Sequence, residues 1–232
     1  MLLFMLSTLA VEMAALEPES IPAVGDPEVA SVLQRVCAER DMPAMAAAVV
    51  TSRGLVAVGA AGSRKRGHPE AVSLYDQWHL GSDTKAMTAT LVAMLVEEGR
   101  LAWDSNLGTL FPELAKGFHA SMRGVTVLQL LSHRAGLPAN LDWWALRSAG
   151  SIREQRVAAL KQAAANAPVT EPGTASSYSN LGYVLAGAII EKVTGLSWEE
   201  TISQRLLQPL GMDRFGFGGT GTPGEVDQPW GH

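Results

Sequence analysis

The chain is nearly devoid of cysteine. Of its 232 residues only Cys37 carries a thiol, so no disulfide forms within one chain and no multi-cysteine zinc site can be built. Cys37 closes the series Val29, Val32, Leu33, Val36, Cys37, whose spacing is that of one helix face, and it reads as core packing rather than as a reactive thiol. Charge is also sparse. Only 18% of residues are charged, with 18 basic against 23 acidic side chains and a net charge of -5. That balance gives no basic face, so nucleic acid is not an expected partner. The short run Arg64-Lys65-Arg66 reads as a solvated turn between strands. The five histidines, His68, His79, His119, His133 and His232, show no H-E-x-x-H or similar spacing, and no metal or organic cofactor is implied. No stable membrane span is expected either. Met1 to Val11 is uncharged and mostly apolar, but too short to cross a bilayer as a helix. Its length fits the apolar region of a signal peptide, yet no Lys or Arg precedes Arg35 and no small-x-small cleavage site follows. A periplasmic or secreted location is therefore set beside a cytoplasmic one. Residues 1–27, with Pro18, Pro22 and Pro27 near their end, are taken as an N-terminal apolar segment and linker.

What is present suits a folded core: 47% of the residues are apolar. Asp26-Pro27 supplies an N-cap followed by proline at the first helical position, and predicts a helix to about Arg40. Ala44–Thr51 and Leu55–Ala61 are strand-like runs joined by Ser52-Arg53-Gly54, a hairpin pattern. Beyond Gly81 the chain reads as mainly helical. Met87, Leu91, Met94, Leu95 and Glu98 mark a helix ending at Gly99. Thr126-x-x-Gln129, Ser151-x-x-Glu154 and Ser197-x-x-Glu200 each match a capping box. Leu181, Val184, Leu185, Ala188, Ile189 and Val193 form a further stripe, closed by Gly195. Residues 216–224 contain five glycines. The hairpin has no later strands to pair with, and two strands alone are marginal, which predicts a truncated chain or one that expects a partner segment.

Two polar clusters carry chemistry. In Ser82-Asp83-Thr84-Lys85 a serine and a lysine are three residues apart at the head of an apolar-periodic segment, so on a helix hydroxyl and amine share a face. Serine becomes a nucleophile when a neighbouring base takes its proton, and a lysine of lowered pKa can do so. The second cluster is Tyr178-Ser179-Asn180, after the turn Glu171-Pro172-Gly173. A tyrosine there can shuttle protons if a nearby ammonium stabilises its phenolate, and Asn180 can hydrogen-bond Lys85 or a substrate amide. The competing structural roles are Asn180 as helix N-cap and Tyr178 as a half-buried aromatic.

S-x-x-K followed by Y-x-N resembles the serine β-lactamase and penicillin-binding-protein superfamily, closest to its class C β-lactamase-related branch of esterases and D-alanyl-D-alanine carboxypeptidase-like hydrolases. Further segments match: Trp78 to Lys85, Leu95-Val96-Glu97-Glu98-Gly99-Arg100-Leu101, Leu130-Leu131-Ser132-His133-Arg134-Ala135-Gly136-Leu137-Pro138, Tyr178 to Gly195, and Pro209-Leu210-Gly211-Met212. Arg134 and Ala135 depart from the family's usual residues. The resemblance implies an α+β fold of the β-lactamase/transpeptidase-like type, an antiparallel sheet flanked by helices plus a helical subdomain, with residues 28–232 as the N-terminal portion of the domain and the C-terminal sheet strands missing. It implies that Ser82 becomes acylated, that Lys85 helps deprotonate it, that Tyr178 is general base and then general acid, and that Asn180 orders Lys85 and the substrate. The Ser82 N–H would form half of an oxyanion hole. His133 would be structural, and Glu171 part of the turn before Tyr178 rather than a deacylating carboxylate. The family's third motif, K-T-G or H-x-G on a late strand, has no counterpart here. Loss of one oxyanion donor costs on the order of 10²–10³ in rate.

The reading is a serine hydrolase acting on a small acyl substrate, an ester, a β-lactam or a D-amino-acid peptide. The absent third motif favours the competing reading, a non-catalytic binding protein or inactive fragment on the same scaffold. A G-x-S-x-G hydrolase is excluded, because Leu80-Gly81-Ser82-Asp83-Thr84 does not fit a nucleophile elbow.

Overall fold

A computed structural model of the chain describes residues 25–231, which fall into two compact units. The first comprises the segment ending at His79 and the segment beginning at Gly218; the second is Leu80–Phe217. The signal-peptide expectation for Met1 to Val11 and most of the linker lie outside the described residues, as does His232. Among the described residues no helix is long and apolar enough to cross a membrane, and no group of His, Cys, Asp and Glu is placed to hold a metal ion.

In the first unit, Asp26 caps α1 (Pro27–Arg40) by accepting from Glu28 N and Val29 N at 2.9 and 3.0 Å, with Pro27 in the first turn. β1 (Ala44–Thr51) and β2 (Gly54–Gly62) form an antiparallel hairpin in which Ala44 faces Gly62 and Thr51 faces Gly54, with an irregularity between Val49 and Val50. α1 packs on this hairpin. A side chain at Gly59 would lie 2.8 Å from Val29 Cγ1 and 2.9 Å from Ala30 N, so glycine there lets the helix seat against β2. Leu33 and Cys37 are buried, as core packing requires, but Val32 of the same series is exposed; the inward face is narrower than the spacing implies. The expected antiparallel sheet has two strands among the described residues. The basic run is not the solvated turn between strands that its composition suggests. It follows β2, and Arg64 makes two hydrogen bonds, at 2.9 and 2.6 Å, to Asp76, whose side chain is 1% exposed. Arg66 bonds Asp41, and Lys65 lies over the Trp230 ring.

The second unit is helical. A 3₁₀ turn, Gly81–Asp83, runs into α2 (Thr84–Glu97), which ends at Glu98 and Gly99, the latter with φ 67°. Four short helices follow: α3 (Leu107–Leu110), α4 (Ala120–Arg123), α5 (Val127–Leu131) and α6 (Trp143–Leu146). Then come α7 (Ile152–Ala165), α8 (Asn180–Thr194) and α9 (Trp198–Ile202), with a π-helical turn over Ser203–Leu207. All three expected capping boxes form, at the starts of α5, α7 and α9, and Gly195 closes α8 in the left-handed conformation.

Helix α8 is the centre of this unit; α2, α5, α7 and α9 all pack on it. Leu181, Leu185, Ile189 and Ile190 are fully buried, with Leu91, Leu95, Leu130 and Leu160 from the surrounding helices. Truncating one such leucine to alanine costs about 2–5 kcal/mol. The core also holds a carboxylate. Glu191, 2% exposed, accepts from Arg156 Nη1 of α7 at 2.5 Å and from Trp198 N, the first N–H of α9, at 3.1 Å; Arg156 also binds Glu199 at 2.5 and 3.1 Å. One guanidinium thus ties α7 to α8 and α9. Replacement of Arg156 by Met leaves the Glu191 charge buried and unpaired. The expected cost is about 3–5 kcal/mol, read as a lowered urea midpoint with an unchanged denaturant slope.

Candidate active site

Ser82 lies in the 3₁₀ turn and Lys85 in the first turn of α2, three residues on and on the same face, and Lys85 Nζ donates to Ser82 Oγ at 2.9 Å. The nucleophile candidate therefore sits in the tight turn ahead of α2 rather than within the α-helix. Lys85 Nζ also donates to Asn180 Oδ1 at 2.8 Å, and Ser82 Oγ lies 2.7 Å from Tyr178 Oη. The structure brings together all four residues singled out in the sequence, Ser82, Lys85, Tyr178 and Asn180.

Of the two structural alternatives for the second cluster, Asn180 as helix N-cap is not realised, whereas Tyr178 is indeed about half buried. The N-cap of α8 is Ser179, whose Oγ accepts from Gly182 N at 3.2 Å, and Tyr178 is 52% exposed. With Ser179 performing the capping, the Asn180 side chain is left to face Lys85. Its amide orientation is fixed from the other side, because Nδ2 donates to Asn140 Oδ1 at 2.9 Å and so leaves Oδ1 for the ammonium.

The loop over residues 132–140 frames this arrangement. Gly136 has φ 69°, and a side chain there would lie 2.1 Å from Thr170 O, so glycine permits the loop to close on the segment leading to Tyr178. Val169 N donates to Gly136 O at 2.8 Å, Gly173 N to Arg134 O at 2.7 Å, Ser177 N to His133 O at 2.8 Å and Asn180 N to Ala139 O at 2.9 Å. Ser179 Oγ donates to Pro138 O at 2.7 Å. Arg134, where the family's usual residue is absent, reaches Gly173 O through Nη2 at 2.5 Å. Glu171 lies in the turn its sequence suggested, its carbonyl accepting from Thr174 N.

The electrostatics favour proton movement at Tyr178. Hydrogen bonding from the Lys85 ammonium, then from the Ser82 hydroxyl, holds the phenol below its ordinary 10.0, and the lysine charge adds to this. The ammonium is also 4.8 Å from the Tyr178 ring centroid and 5.7 Å from that of Tyr183. Tyr183, in contrast, is pushed up by burial and then by the neighbouring Tyr178. Burial, then the Lys85 charge, keeps His133 below 6.5. A cleft of about 210 Å³ opens beside Lys85, lined by Gly81, Thr84, Asn180 and Tyr183 and reaching Trp198.

Asn140 and Tyr183 were not singled out in the sequence. Tyr183 carried a signal, three residues after Asn180 and hence on the same helix face. Asn140 carried none beyond its place in a turn-rich segment.

An α+β scaffold that sets serine against lysine and tyrosine in this way defines the class of β-lactamase/transpeptidase-like proteins. Residues 29–229 match the Beta-lactamase family, and the chain belongs to it. It is 33% identical over 174 residues to penicillin-binding protein 4 of Amycolatopsis lactamdurans, an alignment covering 75% of this chain and 44% of the relative. The structure of an octameric penicillin-binding protein homologue from Pyrococcus abyssi superposes with a TM-score of 0.67 at 30% identity, covering 81% of this chain and 43% of that one. A D-stereospecific amidohydrolase from Streptomyces gives a TM-score of 0.60 at 29% identity, covering 80% and 55%. The chain thus spans about half or less of the length of the proteins it matches.

The lysine's hold on the phenol is directly measurable. Replacing Lys85 by Met removes the cation that favours the phenolate, so the Tyr178 pKa is expected to rise toward 10.0. Tyrosinate absorbance against pH, with Tyr178→Phe subtracted to assign the signal, tests this. An unchanged titration contradicts it.

Proposed function

We propose that the protein is a serine hydrolase that forms an acyl-enzyme on Ser82, with an ester, a β-lactam or a D-amino-acid peptide or amide as the acyl donor. The observation that carries this reading is the double contact of one hydroxyl: Ser82 Oγ is 2.9 Å from Lys85 Nζ and 2.7 Å from Tyr178 Oη. A hydroxyl flanked by an ammonium and a phenol of depressed pKa can lose its proton as it attacks.

The steps follow from those positions. Ser82 Oγ attacks the acyl carbon while its proton passes to the Tyr178 phenolate oxygen, with Lys85 stabilising the negative charge it shares with Ser82. Collapse of the tetrahedral adduct breaks the bond to the leaving group, which takes the proton from Tyr178 Oη. Water then attacks the acyl-enzyme by the same route in reverse, releasing the acid and restoring the Ser82 hydroxyl. Asn180 keeps Lys85 aimed at Ser82 throughout. The position of Ser82 ahead of α2 also places developing negative charge near a helix N-terminus.

The substrate class rests on similarity. Relatives of this chain include a penicillin-binding protein and a D-stereospecific amidohydrolase, which favours acyl donors of D-configured amino acids. Export to the periplasm or exterior is part of the same proposal.

Intact-mass spectrometry after exposure to a fluorophosphonate or a β-lactam tests the reading. Wild type is expected to gain the adduct mass and Ser82→Ala is not. Tyr178→Phe is expected to slow adduct formation about 10²-fold or more with an unchanged unfolding midpoint. An equal adduct on Ser82→Ala would remove Ser82 from the mechanism, and unchanged kinetics in Tyr178→Phe would remove Tyr178.

A further inference from the structure

His133 has a left-handed backbone, φ 59°, unusual for a residue with a side chain but tolerated by His and Asn better than by most. Two acceptors of this residue meet the segment 177–179. The His133 carbonyl takes the Ser177 N–H at 2.8 Å, and the ring nitrogen Nδ1 takes the Ser179 N–H at 3.1 Å. Tyr178 lies between these two anchors, and its ring is 4.6 Å from the imidazole, centroid to centroid, at an interplanar angle of 34°. The imidazole also meets Tyr183 at 5.4 Å, whose Oη donates to Leu131 O at 2.9 Å.

We propose that His133 is the positioning residue for Tyr178, holding the backbone on both sides of the phenol and resting its ring against it, and so setting where Oη lies relative to Ser82 and Lys85. It touches no reacting atom; it acts through the tyrosine. Its effect on catalysis rests on the acyl-enzyme reading above, whereas its effect on the phenol does not. The role requires a neutral imidazole, because Nδ1 accepts a hydrogen bond only when it carries no proton, which puts the ring proton on Nε2. The titratable groups facing the ring are Lys85 from α2, Tyr178 ahead of α8 and Tyr183 on it. Adjacent Arg134 is committed to Gly173 O. The lysine and the burial of the ring both disfavour the imidazolium. The anchor is therefore complete above pH 6.5 and is lost as pH falls through the lower value His133 has in the folded protein.

Asparagine separates this role from general structural support. It is at home at positive φ, and its Oδ1 occupies the place of Nδ1 as an acceptor, but it does not titrate. The phenol pKa is read by ¹³C NMR of protein labelled at the tyrosine ring, and the rate of fluorophosphonate addition by intact mass, both across pH 5–8. His133→Ala is expected to return the Tyr178 pKa toward 10.0 and to slow acylation by more than about tenfold, while adding little in a Tyr178→Phe background. His133→Asn is expected to keep the wild-type phenol pKa and rate at pH 8, and to lose only that part of the acid-side decline which exceeds the titration of the Tyr178 phenol itself. The proposal is overturned if the Tyr178 pKa is the same in wild type and His133→Ala. It is also overturned if His133→Asn behaves as His133→Ala, or if His133→Ala slows the Tyr178→Phe protein as much as the wild type. If wild type forms no adduct while the phenol pKa still follows His133 in this way, the acyl-enzyme reading falls and the positioning role stands.

Discussion

The Lys85 ammonium donates to Ser82 Oγ and to Asn180 Oδ1; the second of these bonds, with the Ser82–Tyr178 contact, joins the start of α2 to the head of α8. Most of the second unit can be understood as what keeps those two helix ends together. α8 is buried along much of its length, and its first turn approaches α5 closely: a side chain at Gly182 would lie 3.0 Å from Leu130 O. At the far end, Arg156 and Glu191 fix α7, α8 and α9 to one another. An exposed polar cluster is thus held by a rigid apolar helix, which is how a site keeps its geometry without being buried itself.

The division of labour at the head of α8 is the second constraint. Ser179 caps the helix, so Asn180 is spared, and Asn140 sets which way its amide points. Ser179 Oγ both accepts from Gly182 N and donates to Pro138 O. One serine thereby satisfies the helix end and attaches it to the loop at 132–140. Arg134, a departure from the family pattern, extends that attachment to Gly173.

Much of this was legible in the sequence because it is local. Capping boxes, Asp26-Pro27 and Gly195 mark helix ends through contacts spanning a few residues, and each formed where expected. Ser82 and Lys85 were readable for the same reason, although Ser82 lies in a 3₁₀ turn that leads into α2 rather than in the α-helix itself. Contacts far apart in sequence were not readable from pattern. Arg64 looked like a solvated basic turn because nothing local announces Asp76 twelve residues on. Glu191 lies in an otherwise apolar helix, and only the fold reveals Arg156 beside it. The pairing of Tyr178 with Ser82 crosses 96 residues, and family resemblance rather than periodicity brought those two together. Asn140 joined the site with no sequence signal at all.

The central claim is that Ser82 is the residue that becomes acylated. Labelling the protein with a fluorophosphonate, digesting it and locating the added mass by tandem spectrometry tests that claim most directly. The account predicts that the modification maps to Ser82 and that prior protonation of the site at low pH suppresses it. Modification at another serine, with Ser82 recovered unmodified, would contradict it.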